Sequence, residues 1–210
     1  MGNSRSSRIT VAVCATLGLV TAACGDSRAP DSTPAASQPA SATSQTAPSP
    51  VERGKYLVTV GGCNDCHSPK TFGPNGPQPD TSRLLSGHPE NAKVDKSFVP
   101  TKGSPWAYAA TNDMTAWSGP WGVSFAANLT PDTNTGLRSG VWTEDLFIKA
   151  LRSGKHMGTS RDILPPMPWP EISQMSDDDL KAIWSYLGTI PAVVNHVPDP
   201  IPPAGNGDSK

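Results

Sequence analysis

The chain lacks an apolar run of the about 20 residues a bilayer span requires; its longest apolar stretch, Ile9 to Val20, is too short to cross. Cysteine is scarce, at four in 210 residues, and no second Cys pair accompanies Cys63 and Cys66, which argues against a four-ligand zinc site. No alternation of strand and helix patterns surrounds that pair, which argues against a thioredoxin-like redox motif. There is no excess of basic charge: 17 Lys and Arg stand against 18 Asp and Glu, and loss of Arg5 and Arg8 with a leader would leave 15 basic residues, so nucleic acid is not an expected partner. No catalytic triad or paired carboxylates stand out, and the reading is of a protein that is not an enzyme.

What is present falls into four stretches. Arg5 and Arg8, the apolar stretch and the small residues Thr21, Ala22 and Ala23 have the order of an export signal over 1–23, and Cys24 follows directly. Leu19-Val20-Thr21-Ala22-Ala23-Cys24 resembles a bacterial lipobox, which implies a lipid on Cys24 and a chain held on the periplasmic side of a membrane. Residues 24–50 are dominated by Ser, Ala, Pro, Thr and Gln and have too little apolar surface to offset their ordering entropy, so they read as a flexible tether. Residues 51–198 have the size of one domain, and 199–210 read as a disordered tail. With 36% hydrophobic residues overall, such a domain would gain from a large apolar cofactor at its centre.

Cys63-Asn64-Asp65-Cys66-His67 has the Cys-x-x-Cys-His pattern of covalent c-type haem attachment. On a helical turn, residues i and i+3 project from one face, so two thiols can meet the two vinyl groups of one porphyrin edge. The next residue, His67, offers a neutral imidazole to the iron while its other nitrogen is free to donate to a carbonyl. A structural disulfide is possible in an exported protein but leaves the adjacent His67 unexplained.

Helical patterns flank the motif. Glu52 to Val60 has an acidic start and ends at Gly61-Gly62. Thr143 precedes Glu144 and Asp145 and then Phe147, Ile148, Ala150 and Leu151, with Gly154 as terminator. Ser176 with Asp179 makes a capping-box-like start, Met175 and Leu180 a hydrophobic staple, and Leu180, Ile183, Trp184 and Leu187 follow helical spacing to Gly188.

This order resembles class I cytochromes c. Asn128-Leu129-Thr130-Pro131-Asp132, Thr135-Gly136, Trp142-Thr143, Ala150-Leu151-Arg152-Ser153-Gly154 and Pro166-Met167-Pro168 are similar to the cytochrome c subunits and domains of membrane-bound alcohol and gluconate dehydrogenases. The resemblance covers about residues 52 to 68 and 125 to 190; residues 70–124 match less well, and those relatives often carry several haem motifs where this chain has one. It implies an all-α class I cytochrome c fold with a long, loop-rich insertion between the haem motif and the axial Met.

Of the five methionines, Met167 is the expected second iron ligand. It lies in Pro165-Pro166-Met167-Pro168-Trp169-Pro170, where prolines fix φ and remove backbone donors, giving a stiff extended strap shortly before the last helix. Met157 and His156 read as structural or rim residues, and His88 and His196 as surface residues. A His67/Met167 pair raises the potential and fills both axial positions, which implies outer-sphere electron transfer. The expectation is one covalent haem c, with Cys63, Cys66, His67 and Met167 as its site. Its redox partners would be a dehydrogenase donor and a cytochrome or oxidase acceptor. The alternatives are a haem enzyme or sensor with an open sixth position, and a cytochrome subunit of a dehydrogenase complex. Residues 70–124, with scattered Phe72, Trp106, Tyr108, Trp117 and Trp121, are either extra wall around the haem or a docking surface; short extended pieces around Gly122 to Leu129 have too weak a period to assign.

Overall fold

A computed structural model describes residues 47–94 and 105–203. The expected leader, the lipid site Cys24, the tether as far as residue 46 and the tail from residue 204 lie outside the described residues.

Three longer helices frame the domain, and each begins where local chemistry supplies a cap. Helix α1 (Pro50–Val60) starts at a reciprocal capping box: the Glu52 N–H donates to Ser49 Oγ at 3.3 Å and the Ser49 N–H to the Glu52 carboxylate at 2.8 Å. Pro50 takes the first position, where a missing N–H costs nothing. A single turn, α2 (Cys63–His67), follows, entered through Gly62 at φ 65°. Helix α3 (Glu144–Ser153) is capped by Thr143 Oγ1, which accepts from the Leu146 N–H at 3.2 Å, and stops at Gly154, φ 66°. The one-turn α4 (Trp169–Ile172) leads to α5 (Asp177–Leu187), where Ser176 Oγ accepts from the Asp179 N–H at 3.1 Å.

Helices α1 and α5 cross at Gly54, where an added Cβ would lie 1.9 Å from the Ala182 carbonyl oxygen and 2.7 Å from Tyr186 Cβ. The absent side chain lets the two backbones touch. Around the crossing, Leu57 and Val58 of α1, Phe147 and Leu151 of α3, and Leu180, Ile183, Trp184 and Leu187 of α5 form one buried cluster with Leu85 and Leu137. Arg53 and Asp179 pair across the crossing at 2.8 Å, but Arg53 is largely exposed, so solvent screening leaves the pair little weight.

The all-α expectation is overturned. Two antiparallel sheets occupy the stretch between the Cys63–His67 turn and α3. Strands β1 (Lys70–Gly73) and β2 (Gly76–Pro79) form an outer hairpin; β3 (Ala109–Ala110), β4 (Ala116–Gly119) and β5 (Gly122–Phe125) form a three-stranded sheet in that order, with Trp117 opposite Ser124. The fold is therefore mixed, with five helices and five short strands among the described residues. These strands escape a sequence reading because they are two to four residues long and rich in Gly, Ala, Ser and Pro, residues with little strand preference of their own. In the three-stranded sheet the pairing of β4 with β5 comes from burial, since every residue of β4 and three of the four of β5 are buried; the β1–β2 hairpin is mostly exposed.

Beyond α5 the chain folds back over the domain. The Asn195 side chain donates to the carbonyls of Ser86 at 2.7 Å and His88 at 2.9 Å and accepts from the Glu90 N–H at 3.0 Å. Asn128 donates to the Val193 carbonyl at 2.9 Å, and Ile201, inside the stretch read as a tail, exchanges two backbone bonds with Val123 of β5. Asn195→Ala would leave these buried backbone groups without partners. It is expected to cost about 3 kcal/mol, read as a lowered denaturant midpoint at unchanged slope.

Candidate functional site

The α2 turn is braced from three sides. Ser68 Oγ donates to Asn64 Oδ1 at 2.8 Å and accepts from the Leu85 N–H at 2.8 Å, while the Gly87 N–H donates to the His67 carbonyl at 2.8 Å. Gly87 has φ 81°, and a Cβ there would meet the Ala126 carbonyl oxygen at 2.5 Å, so residues 85–88 run directly against 126–129. Lys70 Nζ donates to the carbonyls of Asn64, Asp65 and Ser68, closing the C-terminal end of the turn.

His67 is buried, and its Nδ1 donates to the Ala127 carbonyl at 2.8 Å. A carbonyl can only accept, so Nδ1 carries the hydrogen and Nε2 keeps its lone pair, the arrangement of a metal-binding imidazole. Burial lowers its pKa, opposed by the bond to Ala127 and reinforced by the charge of Lys70, so the ring is neutral. Cys63 and Cys66 are free, partly buried thiols. Burial pushes Cys63 up to about 11, and burial followed by the Asp65 charge raises Cys66. A redox-active pair needs the opposite shift, toward thiolate.

One cavity of about 680 Å³ opens against this turn. That lies within the roughly 300–1,000 Å³ of cofactor-sized sites. Cys66 and His67 lie at one side; Trp117 and Phe125 of the three-stranded sheet, Phe147, Ala150 and Leu151 of α3, and Leu129 and Leu137 supply apolar surface; Met167 comes from the proline strap. Cys63, three residues before Cys66 on the same turn, is not part of the lining and packs against the hydrophobic cluster. Met167 is the one methionine of the lining among the described residues. Its strap is held by β5, where Ser124 Oγ donates to the Pro165 carbonyl at 2.6 Å and accepts from Trp121 Nε1 at 3.2 Å.

Of the expected site residues, the structure thus gathers Cys66, His67 and Met167 on one cavity, with Cys63 on the same α2 turn as Cys66 and His67, and Cys24 lies outside the described residues. Trp117, Arg161 and Asp199 also line the cavity, together with His156, expected as a structural or rim residue, and His196, expected at the surface. No local signal marks the first of these, since Trp117 lies 50 positions from His67 along the chain and shares with it only the wall of the cavity. His88, expected at a surface turn, is buried instead, with Nδ1 donating to Thr115 Oγ1 at 2.8 Å, whose own hydroxyl donates to Asp113 at 2.9 Å. The middle segment supplies wall through β4 and β5, while Trp106 remains 75% exposed.

No protein-family model matches the chain. Curated proteins do. The chain is 33% identical over 138 residues to the gluconate 2-dehydrogenase cytochrome c subunit of Pantoea cypripedii, covering 65% of this chain and 22% of that one. It is 28% identical over 152 residues to the cytochrome c subunit of the quinone alcohol dehydrogenase of Gluconobacter oxydans (strain 621H), covering 71% and 24%. The fructose dehydrogenase cytochrome subunit of Gluconobacter japonicus is 28% identical over 153 residues, covering 72% and 24%. The chain therefore spans less than a quarter of the length of these relatives.

Proposed function

We propose that this chain, similar over 65–72% of its length to cytochrome c subunits of dehydrogenases, is an electron carrier and not an enzyme. It holds one covalent haem c, with Cys63 and Cys66 as attachment points and His67 and Met167 as iron ligands. The observation that carries this reading is the meeting of Cys66, His67 and Met167 on a single, largely apolar cavity of about 680 Å³. The donor set fits the group: two uncommitted thiols on one helical turn, an imidazole whose tautomer leaves Nε2 for a metal, and a thioether on a braced strap. The bound iron would supply a one-electron change of charge.

Each protein group has a separable task. Cys63 and Cys66 fix the cofactor's edge. Ala127 sets the His67 ring orientation, and Ser124 and Trp121 hold the strap that presents Met167. Arg161 on the lining gives a cation for the carboxylate side chains of a porphyrin. Trp117, Phe125, Phe147 and Leu151 exclude water, which keeps reorganisation small when charge changes. The electron would come from a dehydrogenase and pass to a cytochrome or oxidase, and the relatives favour work as a subunit of a dehydrogenase complex. Export to the periplasmic side, with a lipid on Cys24, completes the proposal.

Chain made in a host competent for haem attachment should gain mass beyond the polypeptide and show a low-spin spectrum with a methionine-ligand band. Colourless protein of polypeptide mass sinks the cofactor. A high-spin spectrum that shifts with carbon monoxide sinks the Met167 ligand and favours an open-site sensor or enzyme. Labelled palmitate that fails to remain with the chain, or remains in Cys24→Ala, removes the anchor.

A further inference from the structure

His156 sits in a loop closed on itself. Its backbone N–H donates to the Arg161 carbonyl at 2.8 Å, and the N–H and hydroxyl of Ser160 donate to its carbonyl at 3.0 and 2.6 Å. Ser160 Oγ also lies 3.3 Å from His156 Nδ1. The hydroxyl hydrogen is already used on the carbonyl, so Nδ1 donates to Ser160 Oγ and the remaining nitrogen, Nε2, is the proton acceptor. The ring faces the edge of Trp142, with centroids 5.3 Å apart, and both residues line the cavity. Two charges act on it, Arg161 from its own loop and Asp199 from the segment beyond α5, where His196 also lines the cavity. Close by, Lys155 is paired with Asp162 at 2.6 Å, and the Lys149 stem of α3 lies against Gly158. Neither Arg161 nor Asp199 forms a described salt bridge, though the two interact: burial lowers the Arg161 pKa and the Asp199 charge opposes it.

We propose that His156 takes up a proton when the cofactor of this cavity gains an electron, so that the reduction potential depends on pH. The inference rests on the haem reading above. One electron, supplied by the donor dehydrogenase or a chemical reductant, turns ferric to ferrous; one proton from solvent adds to the His156 Nε2 lone pair, and no other bond changes. Loss of one positive charge in a low-dielectric cavity raises the proton affinity of a lining imidazole by about tenfold at separations near 10 Å. The sign follows: low pH favours the reduced, protonated pair, and the potential falls as pH rises. Burial first, and then Arg161, lower the His156 pKa from 6.5 while Asp199 opposes them, so the fall begins on the acid side of that value.

Potentiometric titration of the haem-loaded protein from about pH 5 to 8 tests this. The expected total fall is about tenfold in the one-electron equilibrium, about 59 mV. His156→Gln should flatten it while keeping the low-spin spectrum. Asp199→Asn should move it to lower pH, because removing the facing carboxylate weakens proton binding. A wild-type potential that does not change with pH, in protein with the low-spin spectrum, overturns this inference alone. So does an unchanged slope in His156→Gln, or a slope lost in His196→Gln. Protein with no haem absorbance overturns the cofactor reading and this inference together.

Discussion

Replacing Met167 with alanine is expected to lower the reduction potential of the haem-loaded protein by on the order of 0.1 V, a fraction of the ~0.8 V that axial ligands span. Thioether sulfur favours ferrous over ferric iron, so its removal stabilises the oxidised form and leaves a coordination position open to carbon monoxide or cyanide. The choice of Met167 over the other methionines has a structural basis. Met114 is 46% exposed, Met175 packs against the hydrophobic cluster, and Met157 stands in a tight turn with φ 54° and is not part of the cavity lining. Met167 alone, among the described residues, is carried into the cavity, on a segment whose Pro165 carbonyl is tied to β5. Met157→Ala should therefore change neither potential nor ligand binding. If Met157→Ala opened the iron and Met167→Ala did not, the ligand assignment would be wrong.

Gly54→Ala is expected to destabilise the domain by about 3 kcal/mol. Glycine to alanine inside a helix ordinarily gains up to about 1 kcal/mol, so the expected sign is opposite to propensity. The reason is the helix crossing: the new methyl would sit 1.9 Å from the Ala182 carbonyl oxygen, which belongs to the backbone of α5 and has no rotamer in which to move aside. The helices must separate, and the buried cluster of Leu57, Val58, Leu180 and Ile183 loosens with them. Because α1 leads directly into the Cys63–His67 turn, the loosening should also broaden the haem spectrum. Urea denaturation measures the cost; Gly73→Ala, whose added Cβ would meet nothing within 4 Å, should change it by less than about 0.5 kcal/mol. Equal effects at the two glycines would mean that the crossing is not close-packed.

Much of the frame was legible in the residues because it is written in local chemistry. Ser176 and Thr143 as caps, and Gly154 and Gly188 as stops, each act within four residues and are found in those roles, while Asp179, expected to complete a capping box, turns its carboxylate to Arg53 instead. Helix α1 begins two residues before the expected Glu52 because Ser49 provides the cap. The four-residue α4 was not foreseen, since Trp169-Pro170 reads as a continuation of the proline strap. The largest departure is the pair of sheets. Ala116-Trp117-Ser118-Gly119 has no periodicity to announce a strand, and it becomes one because burial leaves its backbone groups no partner except another strand.

By itself, the sequence determined the Cys63–Cys66–His67 turn and the caps of the three long helices, because thiols three apart on one turn and a hydroxyl beside an open N–H depend only on neighbours in the chain. Which surfaces close around that turn was decided by the tertiary structure alone. Trp117, His156, Met167 and Asp199 come from four separate segments that meet at the cavity. The Ser124 bond ties in the Met167 strap and the Val123–Ile201 pairing ties in Asp199, both across long stretches of chain. Trp117 sits on a local hairpin and His156 in a local loop, and the rest of the fold sets their places against the cavity. Burial and long-range hydrogen bonding have no spacing rule along the chain, so no local pattern could have assembled them.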